Sequence, residues 1–219
     1  MAVVAIDPGH GGSSEVGGSS PNNAVGFDGT KEKDLTLDIG LRAKALLESD
    51  GTTVVMTRMT DKNVGLTKRA NIARDAGADA YISIHFNGWN GVVQGTETYI
   101  HSKAGDASMK LAKHVQTQML QATGLTDRHV KKNSFGTLNP SSHHSKTAAC
   151  LVEVSFLDVV DECKRLKNES YRNRIAEAIR TAVNSYLQSR TRFRSLPRKD
   201  AKPTPPQDGF EVEVRMDGA

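Results

Sequence analysis

Ala2-Val3-Val4-Ala5-Ile6, followed by Asp7-Pro8-Gly9-His10-Gly11-Gly12, is the stretch on which the fold reading turns. A short run rich in β-branched residues reads as a buried strand. The run ends in a Pro- and Gly-rich turn that neither helix nor strand is expected to continue through. The same event recurs downstream. Ala80-Tyr81-Ile82-Ser83-Ile84-His85-Phe86 is a second apolar run, and Ala148 to Phe156 a third. Each is a candidate interior strand.

Between these runs the period changes from two to about 3.6. From about Asp34, the residues Leu35, Ile39, Ala43, Leu46 and Leu47 fall on one helical face, and Gly51 is placed to stop the helix. Leu66 to Ala76, Asp106 to Ala122 and Tyr171 to Leu187 repeat that pattern. Thr52 to Thr57 reads as another strand. Gly95 to Ile100 alternates and is polar enough to predict an edge strand. Strands alternating with helices predict a single α/β domain. Its sheet should be twisted, mostly parallel, of about five or six strands, and flanked by helices. There is no internal repeat.

The 219 residues suffice for one domain with a real core. Hydrophobic residues make up 37% and charged residues 25%, a soluble globular balance. No apolar run approaches the ~18 residues of a membrane span. The first residues carry no basic n-region or cleavage site, so no signal peptide is expected. Only Cys150 and Cys163 occur, which excludes a disulfide scaffold. A formal charge of +4 and a pI near 9.1 permit an anionic partner without demanding one.

The composition changes after Ser189. Arg190, Arg192, Arg194, Arg198, Lys199 and Lys202 crowd a stretch holding four of the seven prolines. Such a segment buries too little apolar area to fold alone. Residues 1–189 are therefore read as the catalytic domain and 190–219 as a basic, Pro-rich tail or linker. The tail is either a solvated linker or an electrostatic anchor for an anionic polymer. Phe210-Glu211-Val212-Glu213-Val214 alternates like a short strand.

His10 lies just past a strand end and His85 near another. In a parallel sheet those ends form one rim, where sites are usually built. Glu32 lies just before the first long helix. Two His and one Glu make a catalytic zinc set with a fourth position left open. Each residue also has a plainer reading. A strand His is often a core residue, and Glu32 suits the positive end of a helix dipole. Glu153 lies inside the apolar strand, where a carboxylate is costly unless paired, hydrogen-bonded or protonated. It is either a structural ion pair or a general base with a raised pKa. His143 and His144 occupy a polar loop and are expected to be exposed, with substrate contact as the alternative. His101, His114 and His129 have no companions. Cys150 reads as a buried small hydrophobe.

Taken together, four segments resemble the zinc-dependent N-acetylmuramoyl-L-alanine amidases of the amidase-3 type, which hydrolyse peptidoglycan. They are Ile6-Asp7-Pro8-Gly9-His10-Gly11-Gly12, Lys31-Glu32-Lys33-Asp34-Leu35-Thr36-Leu37, Ser83-Ile84-His85-Phe86-Asn87 and Leu151-Val152-Glu153-Val154-Ser155-Phe156-Leu157. Their order and spacing match over about Val3 to Leu187. Thr57-Arg58 with Asp61, Arg69 with Asn71-Ile72-Ala73, and Gly95-Thr96-Glu97-Thr98-Tyr99 add support.

The resemblance implies His10, Glu32 and His85 as ligands of one Zn²⁺, Glu153 as catalytic acid/base, and Asn87 as a substrate or supporting contact. It implies metal-assisted hydrolysis of the amide between N-acetylmuramic acid and L-alanine. The chain departs from the family's pattern at Ser155, at Asp158-Val159 and at Thr147-Ala148-Ala149, positions that concern the substrate groove. A zinc peptidase on other substrates and a non-catalytic wall-binding module are the alternatives.

The expected partner is peptidoglycan, met by a monomer without nucleic acid. Action on the cell wall, in the periplasm or outside the cell, is expected. It would follow release as a phage or prophage lysin, or export as an autolysin whose leader is absent here. Some relatives carry a long inserted helix over the zinc, after the strand matching Gly95 to Ile100. Here only His101-Ser102-Lys103-Ala104-Gly105 follows, too short for such a helix. An open site needing no activator protein is expected.

Overall fold

The computed structural model describes residues 1–195, with the side chains of 191–195 left out. Six strands form one sheet: β1 (Val3–Pro8), β2 (Thr53–Met56), β3 (Ala80–Asn87), β4 (Thr96–His101), β5 (Asp127–Asn133) and β6 (Ala148–Phe156). Five helices accompany them: α1 (Glu32–Ser49), α2 (Leu66–Asp75), α3 (Asp106–Thr123), α4 (Val160–Lys167) and α5 (Glu169–Ser195). The strand order is β2-β1-β3-β6-β4-β5. All neighbours are parallel except β4 and β6, which are antiparallel.

The period of two along each strand sorts side chains onto two faces. Val4 and Ile6 of β1, Ile82 and Ile84 of β3, and Cys150, Val152 and Val154 of β6 join the main core with α1, α3 and α5. Ala5, Tyr81, Ala149 and Leu151 face the other way, toward Ala73 of α2 and Leu138. Asp7, Ser83, His85 and Glu153 continue this second set by the same alternation. They carry it past the apolar cluster to the C-terminal rim. The order β2-β1-β3 reverses direction at β1, so the crevice between the ends of β1 and β3 is a topological switch point.

Several elements differ from the sequence reading. β1 continues through Asp7 and Pro8, which stay in register with Ser83 and Ile84. A proline at a strand terminus gives up no donor that the ladder needs there. α1 begins at Glu32 itself, two residues before Asp34 and behind Lys31 as its N-cap. β4 is not an edge strand: it lies between β6 and β5, and the edges are β2 and β5. The charged strand β5 covers the position where β4 was expected to end the sheet.

α4 is an additional short helix that buries Cys163 and Leu166. α5 starts at Glu169 because the Asn168 side chain accepts from the Ser170 N–H (2.9 Å) and the Tyr171 N–H (3.3 Å). It runs to Ser195, past the composition change at Ser189. Arg190, read as part of the tail, is a residue of this helix and pairs with Asp79 at 3.2 Å. The expected strand Phe210 to Val214, together with Arg198, Lys199 and Lys202, lies outside the described residues. Among the described residues, no helix is long and apolar enough to cross a membrane.

Candidate metal centre and active site

His10 follows β1, Glu32 opens α1 and His85 lies near the end of β3, so three different elements deliver them. Their donor atoms all lie within 4.8 Å of one another. Glu32 Oε1 is 3.1 Å from His10 Nε2 and 3.0 Å from His85 Nδ1. The two rings meet edge to face with centroids 4.8 Å apart. Among the described residues, no other group of three or more His, Cys, Asp or Glu side chains comes together in this way.

The backbone is shaped to hold these donors. His10 has φ 60°, in the left-handed region that non-glycine residues rarely occupy. Strain of this kind persists only where the surroundings enforce it. Here the Arg69 guanidinium donates to the Pro8 carbonyl (2.7 Å) and the His10 carbonyl (2.8 Å), and Arg58 donates to the Pro8 and Gly9 carbonyls. Gly9 is required by close approach: a Cβ there would lie 2.4 Å from His85 Cε1.

A second layer of hydrogen bonds orients His10 and Glu32. His10 Nδ1 donates to the Ser20 carbonyl at 3.0 Å, which leaves Nε2 as the lone-pair nitrogen. Glu32 Oε2 accepts from the Ala24 N–H (2.9 Å) and Oε1 from the Phe86 N–H (3.0 Å). His10 Nε2 is buried and makes no hydrogen bond, although Glu32 is within ion-pair distance. A buried nitrogen without a hydrogen bond costs free energy unless another acceptor of its lone pair is supplied. Two imidazoles and one carboxylate converging this way fit a divalent cation of zinc's preferences.

The electrostatics agree with that geometry. Burial opposes ionisation of Glu32, yet the two imidazoles hold its carboxyl well below the usual carboxylate range. Burial also disfavours the charged form of His10, but Glu32 outweighs it and raises the imidazole's pKa.

Glu153 lies level with His85 across the β3–β6 pair. Its Oε2 is buried and has no hydrogen-bond partner, and among the described residues it makes no ion pair of the structural kind considered for it. Burial, and then the charges of Glu32 and Glu97, push its carboxyl well above its ordinary range. An unpaired carboxyl beside a set of metal donors can exchange a proton with whatever they hold.

Residues 4–185 match the family described as N-acetylmuramoyl-L-alanine amidase. The chain belongs to the N-acetylmuramoyl-L-alanine amidase family. It is 34% identical over 173 residues to the sporulation-specific N-acetylmuramoyl-L-alanine amidase of Bacillus subtilis, covering 78% of this chain and 62% of that protein. It is 31% identical to the endolysin of Bacillus phage SPP1, covering 92% of this chain and 72% of that one. It thus spans less than two thirds of the Bacillus subtilis protein. The fold resembles the crystal structure of an N-acetylmuramoyl-L-alanine amidase from Clostridium difficile 630 with a TM-score of 0.78 and 32% identity, covering 86% of this chain and 97% of that one.

Two cavities flank the donor set in this amidase-family domain. One, of about 180 Å³, is lined by His10, Ser20, Asn23, His85, Phe135 and Glu153 among others. The other, of about 360 Å³, includes Asn23, Glu32, His85, Asn87, Trp89 and Glu153. A larger cavity of about 660 Å³ lies between the β2–α2 connection and Val16-Gly17, and contains none of the donors. Convergence of chemistry, not size, locates the site. Asn87 is on the wall of the second cavity, where its side chain donates to Glu97 Oε1 at 2.9 Å.

Two supporting centres are built on Asp7 and Glu97, which the sequence reading quoted for the resemblance but gave no individual function. Buried Asp7 accepts from Arg69 (2.7 Å), Thr57 (2.5 Å), Tyr81 (2.6 Å) and Ser83 (2.6 Å). Burial opposes its ionisation, but Arg69 and the three hydroxyls hold its carboxyl far below the usual range. Glu97 accepts from Asn87, Tyr99, Arg128 and Lys131. Burial opposes its ionisation too, and the two cations bring its pKa to about 2. A lone acid in a strand was the available signal for Glu97; its cations come from β5, which the sequence concealed.

His143 is corrected. It is buried rather than exposed, donates from Nε2 to the Thr137 carbonyl (2.9 Å) and stacks edge-on against Tyr81. His144 is exposed as expected. Cys150 and Cys163 are both buried and free.

Proposed function

We propose that this chain hydrolyses the amide bond between N-acetylmuramic acid and L-alanine in peptidoglycan, with one Zn²⁺ held by His10, Glu32 and His85. The observation that carries the reading is the unpaired Glu153 carboxyl on the same rim as the three converging donors. A metal held there supplies a Lewis acid that polarises the amide carbonyl and acidifies water.

The chain's own residues do the rest. Ser20 fixes the tautomer of His10, and the Phe86 and Ala24 amides fix the Glu32 carboxylate. Glu153 takes a proton from the attacking water and delivers it to the departing L-alanine nitrogen. The rise of its pKa toward the working range suits that exchange. Asn87, held by Glu97 behind it, lines the cavity beside Glu153 and positions the substrate.

The connection from β4 to α3 is confined to residues 102–105, and no helix of the described residues is inserted there. The site works open, on the cell wall, in a monomer that needs no activator protein. Residues 1–189 hold every group of this mechanism, and the basic, Pro-rich segment after Ser195 serves as tail. Purified wall and casein, incubated separately with the protein, test the reading. New L-alanine amino termini from wall alone are expected. Cleavage of casein alone would make the protein a peptidase, and a protein that binds wall without cleaving it would be a binding module. Replacing His10, Glu32 or His85 by Ala should remove most bound zinc and nearly all activity. Stoichiometric zinc with normal turnover in any one variant contradicts the ligand set.

A further inference from the structure

Trp89 is the only tryptophan in the chain, and it is 78% exposed. It lies in the turn after β3, two residues beyond Asn87, and lines the same cavity as Glu32, His85 and Glu153. The turn is fastened. Asp158 Oδ2 accepts from the Trp89 N–H and from the Gly91 N–H, each at 2.8 Å. Asn90 Oδ1 accepts from the Val92 and Val93 N–H groups. Gly91 has φ 72°, which the turn needs and few other residues adopt. The indole is thus presented by a braced loop rather than left on a loose tip.

Asn23 lines both cavities. Its Oδ1 accepts from Ser20 Oγ (2.7 Å), and that hydroxyl lies 3.1 Å from His10 Nδ1. The carbonyl end of the side chain is therefore anchored to the donor set. Its exposed amide nitrogen has no hydrogen bond to another described residue, so it is available to a ligand.

We propose that the cavity bounded by Trp89 and Asn23 is the saccharide side of the site, holding a pyranose ring of the glycan strand next to the scissile amide. This rests on the amidase reading and adds its orientation: sugar over Trp89, peptide stem out through the narrower cavity beside Phe135. A pyranose has an apolar face of C–H groups and a polar edge of hydroxyl and acetamido groups. An exposed indole matches the first and an amide donor the second. Charge argues the same way. The lining of the Trp89 cavity includes the acids Glu32 and Asp158 and no lysine or arginine. That wall repels the carboxylates of a peptide stem and is indifferent to an uncharged sugar.

A single tryptophan makes the test direct, because all indole emission comes from the proposed platform. The full chain is titrated with chitotetraose, a peptide-free chain of N-acetylglucosamine, and separately with the dipeptide L-alanyl-D-glutamate. The emission should change saturably with the sugar and not with the dipeptide, and N23A should weaken the sugar response several-fold. On glycan-bearing muropeptides W89A should raise KM about tenfold with kcat within about twofold, the scale of one aromatic contact, and W89F should recover most of the loss. Emission that moves with the dipeptide alone reverses the orientation. Emission that moves with neither ligand, or W89A with the parent KM, overturns the subsite. Failure of the amidase reading is separate: the unmodified protein would then release no new amino termini from wall, whatever its emission does.

Discussion

Glu153 and Glu97 stand opposite one another across the antiparallel β4–β6 pair, and their carboxyls are held in opposite states. Arg128 and Lys131 keep Glu97 ionised, whereas Glu153 has no cation partner among the described residues and is pushed toward its protonated form. Two acids with environments that separate their pKa values fit the proposal that Glu97 is structural and Glu153 the proton carrier. Glu153→Gln should therefore keep metal and fold, with an equal or higher Tm, because an unpaired buried carboxyl is replaced by a neutral amide. Turnover should fall by roughly a hundredfold or more. Thermal scans, metal analysis and release of amino termini check this. Loss of metal in parallel would make Glu153 a ligand instead.

Gly9→Ala should damage the site without removing any donor. The added Cβ meets the His85 ring at 2.4 Å, and the ring must move. Displacement of one ligand of three should lower metal affinity at least tenfold, the scale seen when ligand orientation is disturbed. Competition with a chromogenic chelator measures it. Parent affinity would show that His85 has room to spare.

The Asp7–Arg69 pair is fully buried, and Arg69 also carries the backbone carbonyls of Pro8 and His10. Arg69→Met should cost about 3–5 kcal/mol, because it strands a buried carboxylate. The double variant Asp7→Asn with Arg69→Met should recover part of that loss, since the uncompensated charge is gone. Denaturant unfolding measures both. Equal stability of the two variants would mean that the Asp7 carboxylate, once stranded, carries no penalty of its own.

The same pair gives the pH dependence its sign. Asp7 has a folded pKa lowered from about 3.8, so the unfolded chain binds its proton more readily. Its contribution is complete above that unfolded value and is lost as pH falls below it. Unfolding of metal-free protein between pH 5 and 3 should steepen in the parent and be flatter in Asp7→Asn, which starts less stable. Parallel curves would assign acid sensitivity to other carboxylates.

How far the fold was legible depends on the strand. Ala148–Phe156 reads at its true bounds because eight of its nine residues are buried and the polar Ser145-Lys146-Thr147 precedes it. β5 was hidden because Arg128, His129, Lys131 and Lys132 leave it almost no apolar alternation. It is held instead by pairing with β4 and by the Glu97 ion pairs, neither of which leaves a local pattern. That same strand moved β4 from the edge to the interior.

The candidate ligands were legible as chemistry at strand ends, but their convergence depends on β1 lying beside β3, a pairing between residues more than seventy positions apart. His143 was misread because loop composition says nothing about Tyr81, which packs over it. Trp89 and Asn23 sit in polar turns where a single side chain carries no periodic signal. Their place beside the donors is a product of the folded loops alone.

Mass analysis of soluble fragments from purified peptidoglycan tests the central claim most directly, with the protein used as purified, after chelation, and after zinc is restored. The account predicts free stem peptides beginning in L-alanine, and glycan strands carrying intact lactyl groups. Their release should stop with the chelator and resume with zinc. Fragments cut within the peptide stem or between sugars, or undiminished release after the metal is removed, would contradict it.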